Sequence, residues 1–185
     1  DNAGFPAATI DAKGYVTGSV VTVLGSSTKL YSANYYDFEG RITKTVQGNL
    51  LEGYDTTNTV YTFTGKPNTV THTHTASGKT TRTEVYTYTY DHADRISKVQ
   101  HSLGGTSITL YDATYDNFGR LLTKQYHGTS INKLTYAYNL RSWLTGISGT
   151  CFTQNLYYNT GVGTAKCNGS ISSMTWKSGN ESTVR

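Results

Sequence analysis

Five histidines and twelve carboxylates are the residues of this sequence that could carry acid–base or metal chemistry. His72 and His74 are separated by one residue, so in a strand both imidazoles would lie on one face, as in metal-binding hairpins. The sequence shows no cysteine or carboxylate at matching neighbouring positions. We interpret the pair as exposed strand histidines, and predict neither a metal site nor a cofactor.

Two further patterns resemble parts of catalytic sites. Asp91 and His92 are adjacent, like two members of a catalytic triad, but the sequence shows no nucleophile with an orienting partner. A glycosidase needs two carboxylates at one cleft, whereas Asp37, Asp91 and Asp116 recur within a repeated phrase, which indicates turn residues. We predict no catalytic residue and expect that the chain is not an enzyme.

The composition indicates which elements must position these residues. Of 185 residues, 36% are hydrophobic and 15% are charged, and the chain has 33 threonines, 16 tyrosines and two prolines. Threonine and tyrosine favour strands and are middling helix formers. The sequence therefore predicts an all-β chain in which tyrosine is the main packing residue, and argues against a helical bundle or a doubly wound α/β enzyme.

The charge pattern excludes some partners. The net charge is +4, but lysine and arginine are scattered along the chain, whereas a nucleic-acid binder clusters them on one face. No stretch is apolar over the roughly 18 residues that a membrane helix needs. The sequence also shows no signal-peptide pattern. We therefore predict neither nucleic-acid binding nor membrane insertion.

One phrase recurs along the chain, Tyr-Asp-x-x-Gly-Arg followed by an aliphatic residue. In the second copy Asp94 stands where the turn glycine belongs, and in the fourth copy we read Arg141-Ser142 as the replacement of Gly-Arg. The full copies span 36–42, 90–96 and 115–121, a weaker copy with Asn for Asp spans 138–144, a frayed copy spans 158–161, and a degenerate copy is suggested at 61–66.

Each copy contains the signals of a β-hairpin. Before the second Asp, residues 85–90 alternate between tyrosine and smaller residues, which is the two-residue period of a strand. An Asp side chain can hydrogen-bond the backbone two residues on and start a turn, and glycine at the fourth position suits a left-handed residue. The unit is therefore predicted as strand, tight turn, return strand and loose link, repeated along one sheet.

These residues resemble the YD-repeat, or RHS-repeat, family. The likeness covers about residues 30–165, and the segment near residues 14–25 is similar to the lead-in that precedes repeats in large RHS-like surface proteins of Bacteroidetes. The resemblance implies repeated antiparallel hairpins that form a curved, twisted sheet or a partial spiral shell. The residues assigned to structural turns are Tyr36, Asp37, Gly40, Arg41, Tyr90, Asp91, Arg95, Tyr115, Asp116, Gly119, Arg120, Tyr138 and Asn139.

The same resemblance implies a function and a location. In relatives such a ribbon forms a shell around a C-terminal effector, often a toxin. We therefore expect a non-catalytic scaffold segment of a large secreted or cell-surface bacterial protein. Its expected partners are flanking YD repeats and a C-terminal cargo of the same polypeptide, and its unpaired strand edges are expected to self-associate. Along the chain we expect a lead-in at 1–29, repeats at 30–165, and a further strand and tail at 166–185, as one structural domain.

Two further predictions concern side chains outside the turns. Cys151 and Cys167 are equally spaced about residue 159, so a hairpin turning there would place them face to face. We leave open whether they form a disulfide or remain free thiols. The alternative function is carbohydrate binding at a cell surface, because aromatic rows on a sheet can stack on sugar rings. The candidate stacking residues are Tyr86, Tyr88, Tyr136, Trp143 and Trp176.

Overall fold

A computed structural model describes residues 5–7 and 12–179, and it confirms that the chain is all-β. The described residues form thirteen strands and one turn of 3-10 helix at Ser130–Asn132. The strands are β1 Gly18–Thr22, β2 Lys29–Tyr36, β3 Ile42–Gly48, β4 Tyr54–Tyr61, β5 Pro67–His74, β6 Arg82–Tyr90, β7 Ile96–Leu103, β8 Thr106–Tyr115, β9 Leu121–Tyr126, β10 Lys133–Tyr138, β11 Leu144–Gly149, β12 Phe152–Tyr157 and β13 Ser173–Ser178.

The strands are antiparallel to their neighbours, and their order in the sheet is their order along the chain. This up-and-down order follows from the short connections, because a tight turn can join only adjacent antiparallel strands. The chain divides into two compact units. The first comprises Asp1–Thr89 and Gln100–Ser107, and the second comprises Tyr90–Val99 and Ile108–Arg185.

The first unit contains the hairpins of β2 with β3 and of β4 with β5. Tyr35 faces Lys44 across the first hairpin, and the register shifts at the next residue, where Tyr36 faces Ile42. The second hairpin has the same irregularity between Val60 and Tyr61. The side chain of Val46, in the middle of β3, is fully buried.

The second unit repeats this arrangement in β8 with β9 and in β10 with β11. The register again shifts immediately before the tyrosine that ends the first strand, at Thr114/Tyr115 and at Ala137/Tyr138. A bulge at this position increases the local twist and redirects the side chain that follows it. The buried hydrophobic residues of this unit, among those described, are Ala113 and Tyr158.

The sheet therefore has very little buried core. Among the described residues, Val46, Ala113 and Tyr158 are the only buried hydrophobic side chains, and no charged or polar residue is buried. Most strand residues are half-buried instead, so contacts between neighbouring strands carry much of the stability. The one helix of the described chain is three residues long, and none is long or apolar enough to span a bilayer.

Two connections differ from the sequence-based expectation. The link after Leu103 is a tight two-residue turn rather than a loose one, because Gly104 and Gly105 both have positive φ, as in the turns that suit hairpins. Conversely, the described chain has no hairpin turning at residue 159, so the condition that would place Cys151 and Cys167 face to face is not met. β12 pairs with β13, which begins only at Ser173, and residues 158–172 form a long connection between them.

Candidate functional site

Three of the repeated turns have the same hydrogen bonds. We call the five residues from Asp to Arg an Asp turn, and the three are 37–41, 91–95 and 116–120. In the last, Asp116 Oδ1 accepts from the backbone N–H of Phe118 at 2.9 Å and of Arg120 at 3.0 Å, and Oδ2 accepts from Arg120 Nε at 2.7 Å. The other two turns reproduce these bonds. The carboxylate is thus fully engaged in fixing its own turn.

The fourth residue of each Asp turn has a left-handed backbone. Its φ is 78° at Gly40, 82° at Gly119 and 61° at Asp94. In each turn the N–H of this residue donates to the carbonyl oxygen of the Asp, and the Asp N–H donates to the carbonyl oxygen of the Arg. Asp tolerates this conformation better than most residues, which explains how the second copy forms the same turn without glycine.

Each Asp turn contacts the tyrosine that precedes the next turn. Arg95 lies over the ring of Tyr115, with its guanidinium carbon 4.3 Å from the ring centroid, and the Tyr115 hydroxyl donates to the carbonyl oxygen of Ile96 at 3.0 Å. We call this pair of interactions the turn–turn contact. It recurs at Arg41 with Tyr61 and at Arg120 with Tyr138, where the guanidinium carbon is 4.7 Å from the ring centroid in both cases.

The fourth copy corrects the alignment made from the sequence. Asn139 Oδ1 accepts from the N–H groups of Arg141 and Trp143, so the turn spans 139–143. Ser142, with φ 61°, therefore occupies the glycine position. Trp143 occupies the arginine position, and Arg141-Ser142 do not stand for Gly-Arg. The sequence-based alignment of this copy was shifted by one residue, because it placed Arg141 at the glycine position, which Ser142 occupies.

The turn–turn contact persists in this copy with a different pair of groups. The ring centroids of Trp143 and Tyr158 are 4.9 Å apart, and the Tyr158 hydroxyl donates to the carbonyl oxygen of Leu144 at 2.7 Å. An indole face thus replaces the guanidinium, while the hydroxyl bond is unchanged. The frayed copy at 158–161 therefore contributes its tyrosine to the contact.

Two further copies were weak or undetected in the sequence. At 62–66 Thr62 replaces Asp, and its hydroxyl accepts from the N–H of Lys66 at 3.1 Å. At the N-terminal end the Tyr36 hydroxyl donates to the carbonyl oxygen of Val16, and the Tyr15 and Tyr36 rings stack at 4.8 Å. The signal for this copy was present, because residues 11–16 read Asp-Ala-Lys-Gly-Tyr-Val, with tyrosine in the arginine position.

The Asp turns lower the pKa of their carboxyl groups. The hydrogen bond from the Arg95 guanidinium, aided by two backbone N–H groups and opposed by desolvation, lowers the pKa of Asp91 to about 2. Desolvation would raise the pKa of Asp37 and Asp116, but hydrogen bonds from the backbone and the arginine outweigh it and lower both. Each Asp therefore stays ionised and bound to its arginine at neutral pH.

The aromatic residues chosen as candidate stacking surfaces are half-buried rather than exposed. This holds for Tyr86, Tyr88, Tyr136, Trp143 and Trp176. Tyr86, for example, packs against His101 at 4.6 Å between ring centroids. The most exposed aromatic rings among the described residues lie at the turns, at Phe38 (85% exposed), Phe63 (103%) and Phe118 (82%). Phe38 and Phe63 come directly after the first turn residue, and Phe118 comes one position later. The sequence pattern predicted tyrosine-rich faces of the sheet. Alternation alone does not distinguish a tyrosine that packs against its neighbours from one that is exposed to solvent.

Tyrosine packing is clearest in the second unit. Desolvation, together with a hydrogen bond involving Tyr115 and the nearby hydroxyls of Tyr126 and Tyr136, raises the pKa of Tyr111 to about 12. The rings of Tyr111 and Tyr126, which face each other across β8 and β9, are 5.9 Å apart between centroids. Tyr111 is half-buried and Tyr126 is exposed, so this pair packs at the surface of the unit.

His72 and His74 have carboxylates opposite them, contrary to the sequence-based expectation. Asp55 faces His74 across β4 and β5, and Glu84 faces His72 across β5 and β6. His74 Nδ1 bonds Asp55 Oδ1 at 2.5 Å. The expectation failed because it required the register between strands, which spacing along the chain does not give. Among the described residues no three His, Cys, Asp or Glu side chains are already arranged around one ion position.

The two cysteines are free and exposed. The Gly179 N–H donates to the carbonyl oxygen of Cys151, so the chain opposite Cys151 is the end of β13 and not Cys167. The carbonyl oxygen of Cys167 instead accepts from Arg141 Nη1 at 3.0 Å.

Comparison with known proteins adds no family to this description. No family model matches the chain, and no curated protein matches it.

Proposed function

We propose that this chain is a non-catalytic scaffold segment built from YD repeats. The observation that supports it most directly is the turn–turn contact, which recurs between successive turns in each unit. The carboxylates, guanidiniums and tyrosine hydroxyls of these turns are engaged with one another. They hold hairpins in order along a sheet, which is what a wall built of repeats requires.

The small buried core supports a role within a larger assembly. A sheet that buries few side chains gains little from the hydrophobic effect, and each repeat depends on its neighbours. Among the described strands, β1 pairs only with β2 and β13 only with β12. The outer edges of these strands are suited to further repeats of the same polypeptide, or to a second copy of the chain.

The family resemblance extends this proposal to location and cargo. We propose that the segment belongs to a large exported bacterial protein that encloses or presents a C-terminal effector, at the cell surface or in the medium. The support is the repeated Tyr-Asp-x-x-Gly-Arg phrase, together with the turn geometry that it specifies.

The native polypeptide provides the test. An antibody raised against this chain would be used to blot medium, envelope and cytoplasm of the producing cells. The scaffold proposal requires a band many times larger than the 20.3 kDa of this chain, in the envelope or the medium. A band near the size of the chain alone would contradict it.

Carbohydrate binding is the second candidate function. Phe38, Phe63 and Phe118 favour it, because exposed aromatic rings at three turns can stack on sugars. A glycan array would be probed with the wild-type chain and with the three Phe→Ala variants. Glycan signal that is lost in these variants, while Tyr31→Ala retains it, would support this function; absence of signal would reject it.

A further inference from the structure

A shallow groove on the first unit, away from the turns, is lined by polar side chains from three neighbouring strands. We call it the histidine groove; its volume is about 350 Å³. The side chains of β4, β5 and β6 alternate between faces, and the register places one set on the same side of the sheet. The residues of this set that line the groove are Asp55, Thr57, His72, His74, Arg82 and Glu84.

Both histidine rings of β5 are held through the same ring nitrogen. His74 Nδ1 bonds Asp55 Oδ1, and because a carboxylate only accepts, this nitrogen carries the proton. His72 Nδ1 lies 2.9 Å from Thr57 Oγ1, a hydroxyl that can accept in the same way. Neither Nε2 atom has a hydrogen-bond partner among the described residues. The neutral rings can therefore present both Nε2 lone pairs on one face.

The support around Asp55 continues one step further. Asn49 Nδ2 donates to Asp55 Oδ2 at 3.3 Å and also to the carbonyl oxygen of Thr75 at 2.9 Å. The carboxylate is thus oriented by an amide that the backbone holds in place. A carboxylate bound to the far nitrogen of a histidine is the usual outer support of a metal-binding imidazole, because it fixes the tautomer and raises the basicity of the ligand nitrogen.

We propose that His72 and His74 chelate one divalent transition-metal ion, Zn²⁺ in the first instance, through their Nε2 atoms. Imidazole suits zinc and copper, whereas magnesium and calcium prefer oxygen ligands. The two carboxylates of the lining outnumber its one guanidinium, Arg82, which favours a cation. Water completes the coordination, since no third protein ligand is already in place among the described residues. His101 does not line the groove, and its Nε2 bonds Glu84.

Calorimetric titration of the full chain with ZnCl₂, after removal of metal with a chelator, tests the site. The wild type is expected to bind one Zn²⁺ per chain. The double variant His72→Asn/His74→Asn is expected to lose at least tenfold in affinity, and Asp55→Asn about tenfold, the usual effect of removing an outer partner. The matched control is His92→Asn/His127→Asn, which removes two histidines outside the groove and is expected to bind like the wild type.

A spectroscopic measurement keeps the test decisive if the double variant fails to fold. Cu²⁺ bound to the wild type at one equivalent is expected to show two imidazole nitrogens in its electron paramagnetic resonance spectrum, and one in either single variant, His72→Asn or His74→Asn. Absence of Zn²⁺ binding by the wild type would overturn the proposal. So would an equal loss of affinity in the control, or a Cu²⁺ spectrum unchanged by the single variants.

Discussion

The guanidinium of Arg95 lies over the ring of Tyr115, with its central carbon 4.3 Å from the ring centroid, although the two residues flank different turns. The same tyrosine donates its hydroxyl proton to the carbonyl oxygen of Ile96, the residue after Arg95. Tyr115 therefore contacts the preceding turn in two ways, through its ring face and through its hydroxyl group. The ring face attracts the cation, and the hydroxyl fixes the distance between the two hairpins.

Replacing Tyr115 with Phe tests the hydroxyl part of this contact. The ring and its cation contact remain, while the carbonyl oxygen of Ile96 loses its donor and the hydrogen bond between Tyr111 and Tyr115 is lost. The free energy of unfolding is therefore expected to fall by about 1–2 kcal/mol. Urea denaturation would be followed by fluorescence, since Trp143 and Trp176, the only tryptophans, both lie in the second unit. Tyr157→Phe is the control, because its hydroxyl bonds no described residue, and equal losses in both variants would contradict the assignment.

Acid should weaken the chain through its Asp turns. The pKa of Asp91 is about 2 in the folded chain, below its ordinary value of 3.8, so the carboxylate stabilises the folded state above about pH 4. This contribution is lost as the pH falls toward 2. Asp91→Asn removes the charge but keeps the acceptor oxygen that Asn139 uses in its own turn. Urea midpoints at pH 5 and at pH 2.5 should differ less in the variant; an unchanged difference would refute the role of the carboxylate.

A side chain at residue 119 should strain its turn. Gly119 has φ 82°, and a β-carbon there would lie 3.0 Å from Arg95 Nη1. Gly119→Ala is expected to lower the free energy of unfolding by about 1–2 kcal/mol, the cost of a left-handed alanine. Gly146→Ala, in β11, serves as control because its β-carbon would make only ordinary contacts. Fluorescence-detected urea unfolding compares them, and equal stability of the two variants would argue against backbone strain.

The fully buried Val46 should be the most sensitive aliphatic residue of the first unit. Val46→Ala removes two methyl groups and leaves a cavity, for an expected loss of about 2 kcal/mol. Val60 is 56% exposed, and its replacement by Ala is expected to have little effect. Scanning calorimetry would measure both. A small loss at Val46 would indicate that the sheet closes around the vacated space.

Local pattern was sufficient to predict the three Asp turns and the strands that lead into them. Asp37, Asp91 and Asp116 act on the residues that follow within four positions, so their spacing already specifies the turn. Alternation likewise predicted the strand that ends at Tyr90. The glycine position also tolerated Asp94, because the required property is a left-handed backbone.

Contacts across the sheet could not be predicted in the same way. The pairing of Asp55 with His74 depends on the register of two strands, which nothing near either residue specifies. The same limit applies at residue 159, where the structure has no hairpin turn and β12 pairs instead with the later strand β13. Replacement of arginine by Trp143 in the turn–turn contact was equally hidden, since the two side chains share a flat face but no chemistry.

The turn–turn contact also bears on how such a chain can change during evolution. Each contact joins the last residue of one turn to the tyrosine before the next, and the same pair of positions meets at four junctions. A duplicated repeat therefore brings both halves of a new junction with it, and a deleted repeat leaves the surviving halves matched. Insertion of a single residue within a turn, by contrast, displaces the arginine from its own Asp and from the following tyrosine. The number of whole repeats can therefore change without loss of these contacts, whereas the number of residues within a turn cannot.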